Sequence, residues 1–240
     1  MPGFVDVHSH VVPAGDDGAA TIEEGLELCR LAYEAGTEIL FATPHAHAPW
    51  DHYPRTVARD RLYAESLAEM RSEVAGWGLD LRRGWEVYPS EIAGNDPHDL
   101  VLDGTRAVLI EFPGSWLDIE DPIAAVVEAA ELAEAAGLVP VLAHPERCRS
   151  VVADPERVRP LAERGWILCL NAPSLVGGHG ATAERTSWEL LDAGLVGIAA
   201  SDGHAVGRPP TLDAAYHRVR ERRGDEIALP LFDGSILPWT

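Results

Sequence analysis

The sequence predicts an α/β fold, a single-domain, seven-stranded, TIM-like βα barrel. Three observations point there. Short apolar runs alternate with helical segments along the chain. Most of these runs are almost continuously apolar, as expected of parallel strands covered on both faces. Histidines and carboxylates follow the C-terminal ends of the runs. A barrel brings those ends to one mouth, whereas an open sheet spreads them too widely to act together. No Gly-x-Gly-x-x-Gly follows the first strand, which weakens the case for a dinucleotide-binding sheet.

The elements follow in order. The first strand, residues 4–8, ends in Asp6-Val7-His8-Ser9-His10. Residues i and i+2 of a strand share a face, so His8 and His10 project together with Asp6 behind them. Alone, the pair reads as metal ligands or as buried, hydrogen-bonded histidines. An acidic turn, Asp16-Asp17-Gly18, comes next. The helix over 21–35 opens on a Thr21/Glu24 capping box and stops at Gly36, with Ile22, Leu26, Cys29 and Tyr33 on one face. Strand 38–43 leads to His45, and a helix spans 55–76. Strand 79–86 ends on Glu86, and strand 107–112 carries Glu111. After a helix over 122–136, strand 138–144 ends on His144. Helix 155–164, strand 166–171 and helix 183–193 precede strand 195–201, which delivers Asp202 and His204. A last helix covers 211–223, and the apolar tail 224–240 shows no clear period.

With 240 residues, 46% of them apolar, the chain suits one large domain, residues 1–240. A net charge of −20 argues against nucleic-acid binding and reads as a solvating surface. No apolar run is long enough for a membrane span, and the N-terminus shows no signal peptide. Cys29, Cys148 and Cys169 are odd in number and far apart, as reduced thiols of a cytoplasmic protein would be. All 19 basic residues are arginine. Without lysine there is no P-loop, no Schiff base and no metal site bridged by a carboxylated lysine.

Asp6-x-His8-x-His10, Thr43-Pro44-His45, Gly84-Trp85-Glu86, Ala143-His144-Pro145-Glu146-Arg147 and Ser201-Asp202-Gly203-His204 resemble the ordered motifs of the PHP (polymerase and histidinol phosphatase) superfamily. Asp16-Asp17-Gly18-Ala19, Ala42-Thr43-Pro44-His45 and Leu109-Ile110-Glu111-Phe112-Pro113 narrow the resemblance to the metal-dependent protein tyrosine phosphatases of bacterial capsule and exopolysaccharide systems. It covers about residues 4–220 and fades in the tail. The resemblance implies a distorted barrel with three divalent cations, Mn²⁺ favoured over Zn²⁺, Fe²⁺ or Mg²⁺. By the same resemblance His8, His10, Glu86 and Asp202 hold one cation. Glu86 bridges to a second with His45 and His144, and Asp17 and His204 hold a third. Arg147 and Arg208 match phosphate-binding arginines.

The residue chemistry agrees. Mixed His/Asp/Glu sets suit Mn, Fe or Zn better than calcium. A carboxylate-bridged pair lowers the pKa of a shared water toward neutrality and gives hydroxide as nucleophile. Guanidinium forks complement phosphoryl oxygens. Glu111 reads equally as a base, as support for the centre or as the partner of an arginine. No cysteine here has arginine six positions on, so a thiolate phosphatase is excluded. In the loop 44–54, His47 reads more readily as a loop residue than as a ligand, and Trp50 and Tyr53 as loop anchors or stacking surfaces. Trp85 reads as core, and His98, His179 and His217 as surface or structural. The expected substrate is a phosphotyrosyl protein, such as a bacterial tyrosine kinase. The alternatives are a small phosphate ester of histidinol-phosphate type and a metal-binding regulatory module without turnover.

Overall fold

The structure, a computed structural model, describes residues 3–47, 52–114 and 120–240. Its described strands number nine rather than seven: the expected strand 79–86 is cut in two, and a short extra strand follows the one expected over 38–43. They are β1 (Phe4–Asp6), β2 (Thr37–Ala42), β3 (His45–Ala46), β4 (Asp80–Arg83), β5 (Glu86–Val87), β6 (Ala107–Glu111), β7 (Val139–Ala143), β8 (Ile167–Asn171) and β9 (Val196–Ala200). The breaks fall at Thr43-Pro44 and Gly84-Trp85. Pro44 has no N–H to give a ladder. At the second break the Tyr63 hydroxyl enters, donating to Ala42 O at 2.7 Å and receiving Gly84 N at 3.3 Å.

Every strand pairing is parallel, in a three-stranded sheet β1-β2-β4 and a six-stranded sheet β3-β5-β6-β7-β8-β9. The hydrogen-bonded strands therefore form two sheets, not one closed ring. Just beyond β1 and β9 the chain pairs again. Asp202 N donates to His8 O and His10 N to Gly203 O, both at 2.8 Å.

Residues alternate between two cores with the period of a strand. Ala107 and Leu109 of β6 meet Val141 and Ala143 of β7, with Val5, Phe41 and Ile198. Val108, Ile110 and Leu142 face the other way, under the helices. By the same alternation Glu111 shares the inner face of Leu109. Register sets His45 opposite Glu86 and Glu86 opposite Leu109.

The α-helices are α1 (Ile22–Glu34), α2 (Val57–Val74), α3 (Pro89–Ile92), α4 (Pro122–Ala135), α5 (Arg149–Ala153), α6 (Arg159–Glu163), α7 (Gly180–Asp192), α8 (Asp213–Arg223) and α9 (Asp225–Phe232). Thr21 caps α1 as expected, accepting from Glu24 N at 3.2 Å, while Glu24 reaches back to Ala20 N, 2.9 Å away. The helix expected over 155–164 is a 3-10 turn, Pro155–Val158, followed by α6. Helices α3, α5 and α9 were not foreseen. The tail is ordered around α9: Phe232 packs 6.0 Å from the ring of Phe4 and 5.8 Å from that of Tyr216. Beyond it, Pro238 O accepts from Arg106 N and Thr240 N donates to Gly104 O, both at 3.0 Å. The tail therefore covers the N-terminal ends of the strands, away from the mouth. Among the described residues no helix is long and apolar enough to cross a membrane.

Candidate metal centre

His8 and His10 turn inward because Ser9 between them turns outward, donating through Oγ to Phe41 O at 2.7 Å. Asp6 fixes this exit. Its Oδ1 accepts from His8 N (3.3 Å) and Ser201 N (3.0 Å), joining the ends of β1 and β9. Burial lifts the Asp6 carboxyl to about 6. At the far end of β9, Gly203 is needed for close approach, since a Cβ there would lie 2.5 Å from Pro210. His144 and Asp202, ending β7 and β9, have φ of 43° and 51°, in the left-handed region.

His8, His10 and Glu86 form the first group, and His8 also gathers with His144 and Asp202. Glu86 Oε2 lies 3.1 Å from His8 Nε2 and 3.2 Å from His10 Nε2. Those nitrogens are 3.3 Å apart, and Asp202 Oδ1 is 3.4 Å from His8 Nε2 and 3.7 Å from His10 Nε2. Ligand bonds of about 2.1 Å in a tetrahedral shell give donor separations of about 3.4 Å. The second group joins Glu86, whose Oε1 is 2.9 Å from His144 Nε2, with Glu111. The third gathers Asp17, His45 and His204, with His10 beside them: Asp17 Oδ1 is 3.4 Å from His45 Nε2 and 3.5 Å from His204 Nε2.

His45 stands between groups. The resemblance set it with Glu86 and His144, and its Nδ1 is indeed 3.0 Å from Glu86 Oε2, but its Nε2 faces Asp17. Glu111 pairs with no arginine among the described residues and instead faces the histidines. His47, read as a loop residue, is buried, with Nε2 3.3 Å from His45 Nδ1 and 3.4 Å from Glu111 Oε2. Its signal was available: His45-x-His47 has the spacing of His8-x-His10.

These side chains fit divalent cations. The buried oxygens Glu86 Oε2 and Glu111 Oε2 accept no aligned hydrogen bond, although imidazole nitrogens surround them. Lone pairs turned on one another at such separations suit shared cations. Outer partners fix the tautomers. His10 donates through Nδ1 to Asp16 Oδ2 at 2.9 Å, and His204 through Nδ1 to Asp202 O at 2.8 Å, leaving each Nε2 to the cluster. Asp16 also accepts from His45 N, 3.1 Å away. Burial disfavours a proton on His10, but the bond to Asp16 and the nearby Glu86 carboxylate outweigh it and lift His10 to about 9. Burial works against ionisation of Asp17, Glu86 and Asp202 too, yet neighbouring cationic groups hold all three carboxyls well below the usual range.

Arg147 and Arg208 both bond Asp202 Oδ2, Arg147 Nη1 at 3.0 Å, and Asn171 Nδ2 joins them at 2.7 Å. Among the described residues neither Glu146 nor Glu111 pairs with these two arginines. Glu146 Oε1 accepts from Asn171 N (3.1 Å) and Ser174 Oγ (2.7 Å). Ser174 has one hydrogen, given to Glu146, so His179 Nδ1, 2.9 Å away, donates to Ser174 Oγ. Burial, with the charges of Arg147 and Arg208, lowers His179 to about 4.

Tyr53 stacks on His45, with centroids 5.4 Å apart and planes 5° from parallel. Trp50 lies outside the described residues. Trp85 is buried against Tyr63, as expected of a core residue, and His98 is exposed. The three cysteines are buried free thiols; burial pushes Cys29 up to about 12 and raises Cys148 and Cys169 as well, so none is a ready nucleophile.

The chain matches the family model for capsular polysaccharide synthesis, CpsB/CapC, over residues 4–234. Tyrosine-protein phosphatase YwqE of Bacillus subtilis (strain 168) is 31% identical over 244 residues, covering 98% of this chain and 91% of its own. Tyrosine-protein phosphatase CpsB of Streptococcus agalactiae serotype III is 29% identical over 241 residues, 95% of each chain. Among solved structures, one from work on YwqE of Bacillus subtilis and CpsB of Streptococcus pneumoniae, described as metal-dependent tyrosine phosphatases, superposes with a TM-score of 0.78. It is 28% identical and covers 95% of this chain and 90% of its own. Dihydropyrimidinase of Brevibacillus agri shares the fold alone, with a TM-score of 0.55 at 12% identity over 98% of this chain and 70% of its own. A match that runs nearly end to end shows that the chain belongs to the CpsB/CapC family.

Proposed function

We propose that the chain is a metal-dependent phosphotyrosine-protein phosphatase acting in the control of capsule or exopolysaccharide synthesis. The observation that carries this reading is Glu86: its Oε2 faces His8, His10 and His45, and its Oε1 faces His144. One carboxylate serving two sets of imidazoles suits a bridging ligand. In this reading His8, His10, Glu86 and Asp202 hold one cation; Glu86, Glu111 and His144 a second; Asp17, His45 and His204 a third. Such a mixed nitrogen and oxygen set suits Mn²⁺, Fe²⁺ or Zn²⁺, and the resemblance to metal-dependent phosphatases favours Mn²⁺. Cations bound there supply an acidified water and positive charge beside the phosphoryl oxygens. Arg147 and Arg208 orient the phosphoryl group, and their bonds to Asp202 keep both guanidiniums at the mouth. A phenol of pKa about 10 leaves with less protonation than an alkyl alcohol needs. We also read the two sheets as one distorted barrel, cut at Pro44 and Gly84 and closed by the bonds between the ends of β1 and β9. The single domain includes the tail, and the buried free thiols agree with a reducing cytoplasm.

Turnover of a phosphotyrosyl peptide against histidinol phosphate by the Mn²⁺-loaded chain tests the proposal. The peptide should be favoured by about tenfold or more in kcat/KM, and thiol alkylation should leave the rate unchanged. A preference for histidinol phosphate would make the chain a small-molecule phosphatase. Turnover of neither would leave a metal-binding module.

Arg147→Ala should lower kcat/KM by about 30- to 1000-fold with metal content unchanged. Asn171 and Arg208 still hold Asp202 in that variant. Lysine should rescue only partly, because a point charge lacks the bidentate fork. Loss of metal or a lowered melting temperature alongside the activity would reduce Arg147 to a brace.

A further inference from the structure

Arg147 borders two spaces. Its Nη1 reaches Asp202 in the metal centre, and the residue also lines an open cleft of about 430 Å³. Arg149, His179 and Thr182 line the same cleft, with Val152 and Ala183 as an apolar wall. Cys148, between the arginines, is buried with extended backbone (φ −79°, ψ 127°). Its neighbours Arg147 and Arg149 therefore turn together to the opposite side. Among the described lining residues the carboxylate is Glu146, which is fully buried: its Oε1 accepts from Asn171 and Ser174, its Oε2 has no hydrogen bond, and burial raises its carboxyl toward the neutral form. In a chain of net charge −20, this is a cationic recess beside the phosphate-binding arginines. The depressed proton affinity of His179, from burial and from Arg147 and Arg208, reports the same positive field.

We propose that this cleft is a second anion subsite, which takes a negatively charged side chain adjoining the phosphotyrosine, with Arg149 as the specificity-determining contact. The proposal rests on the phosphotyrosine phosphatase reading. A carboxylate and a second phosphoryl group share the needed chemistry, two or more oxygens matched to a guanidinium fork. Arg147 separates the subsite from the reacting group. Charge at Arg149 should therefore act on peptide binding and not on the chemical step.

The test uses the metal-loaded full chain and four substrates. Three are phosphotyrosyl peptides, flanked by alanine, by glutamate or by a second phosphorylated residue; the fourth is p-nitrophenyl phosphate, which has no flanks. The chain should favour anionic flanks by about tenfold in kcat/KM, chiefly through KM. Arg149→Ala should erase most of that preference and Arg149→Glu should invert it, with p-nitrophenyl phosphate turned over equally by all three proteins. A gain with only one of the anionic peptides would identify the ligand as carboxylate or phosphoryl. Equal rates on neutral and anionic peptides, or a preference that survives Arg149→Ala, would overturn the subsite while leaving the phosphatase standing. No turnover of any phosphoester would overturn both.

Discussion

Chelation of the full chain is expected to abolish phosphatase turnover, and Mn²⁺ to restore it. The reason is the side chains' own arrangement. His8 Nε2 and His10 Nε2 face each other at 3.3 Å and both face Glu86 Oε2, an oxygen with no aligned hydrogen bond. Without a cation, protons compensate the buried carboxylates, and His10, at about 9, is charged at neutral pH. Metal and proton then compete for one lone pair. Reloading near neutral pH should release protons, measurable with an indicator dye. Because the His10 value is raised, its proton is firmly held below about 9, so the competition grows and metal uptake weakens as pH falls. Full turnover by protein shown metal-free by elemental analysis would end the metal-dependent reading.

Glu86→Gln is expected to cost at least about two orders of magnitude in turnover. The amide keeps the size of the side chain, so the pairing of β5 with β3 and β6 survives. It removes the charge that lets one residue serve the His8, His10 and His144 nitrogens together. Metal content should fall with activity while the melting temperature of the metal-free protein holds. His98→Ala, at an exposed position in a 3-10 turn, should be nearly silent. Equal behaviour of the two variants would refute the bridging role of Glu86.

Much of this was legible in the chain because strand periodicity is local. The inward turn of His8 and His10 follows from their spacing, and the seven apolar runs map onto the strands. What failed depended on distant partners. The cut at Gly84-Trp85 needs the Tyr63 hydroxyl from α2, a contact invisible in an apolar run. The splitting of His45 between Glu86 and Asp17 depends on which nitrogen meets which strand, and so on register and rotamer. His47 was passed over because its loop setting outweighed its spacing. Helix α9 went unseen because Pro230 lies inside it and its burial is organised by Phe4 and Tyr216, residues remote in sequence.

The left-handed backbone at His144 and Asp202 sets stability against chemistry. A residue with a Cβ is strained there relative to glycine by on the order of 1 kcal/mol, less for the His, Asp and Asn types that visit this region more often. Glycine would ease the backbone at either position, but at 202 it would also leave Arg147, Arg208 and Asn171 without the carboxylate they share. A laboratory lineage selected on melting temperature alone would therefore be expected to reach glycine at position 144 before position 202, becoming sturdier and inert.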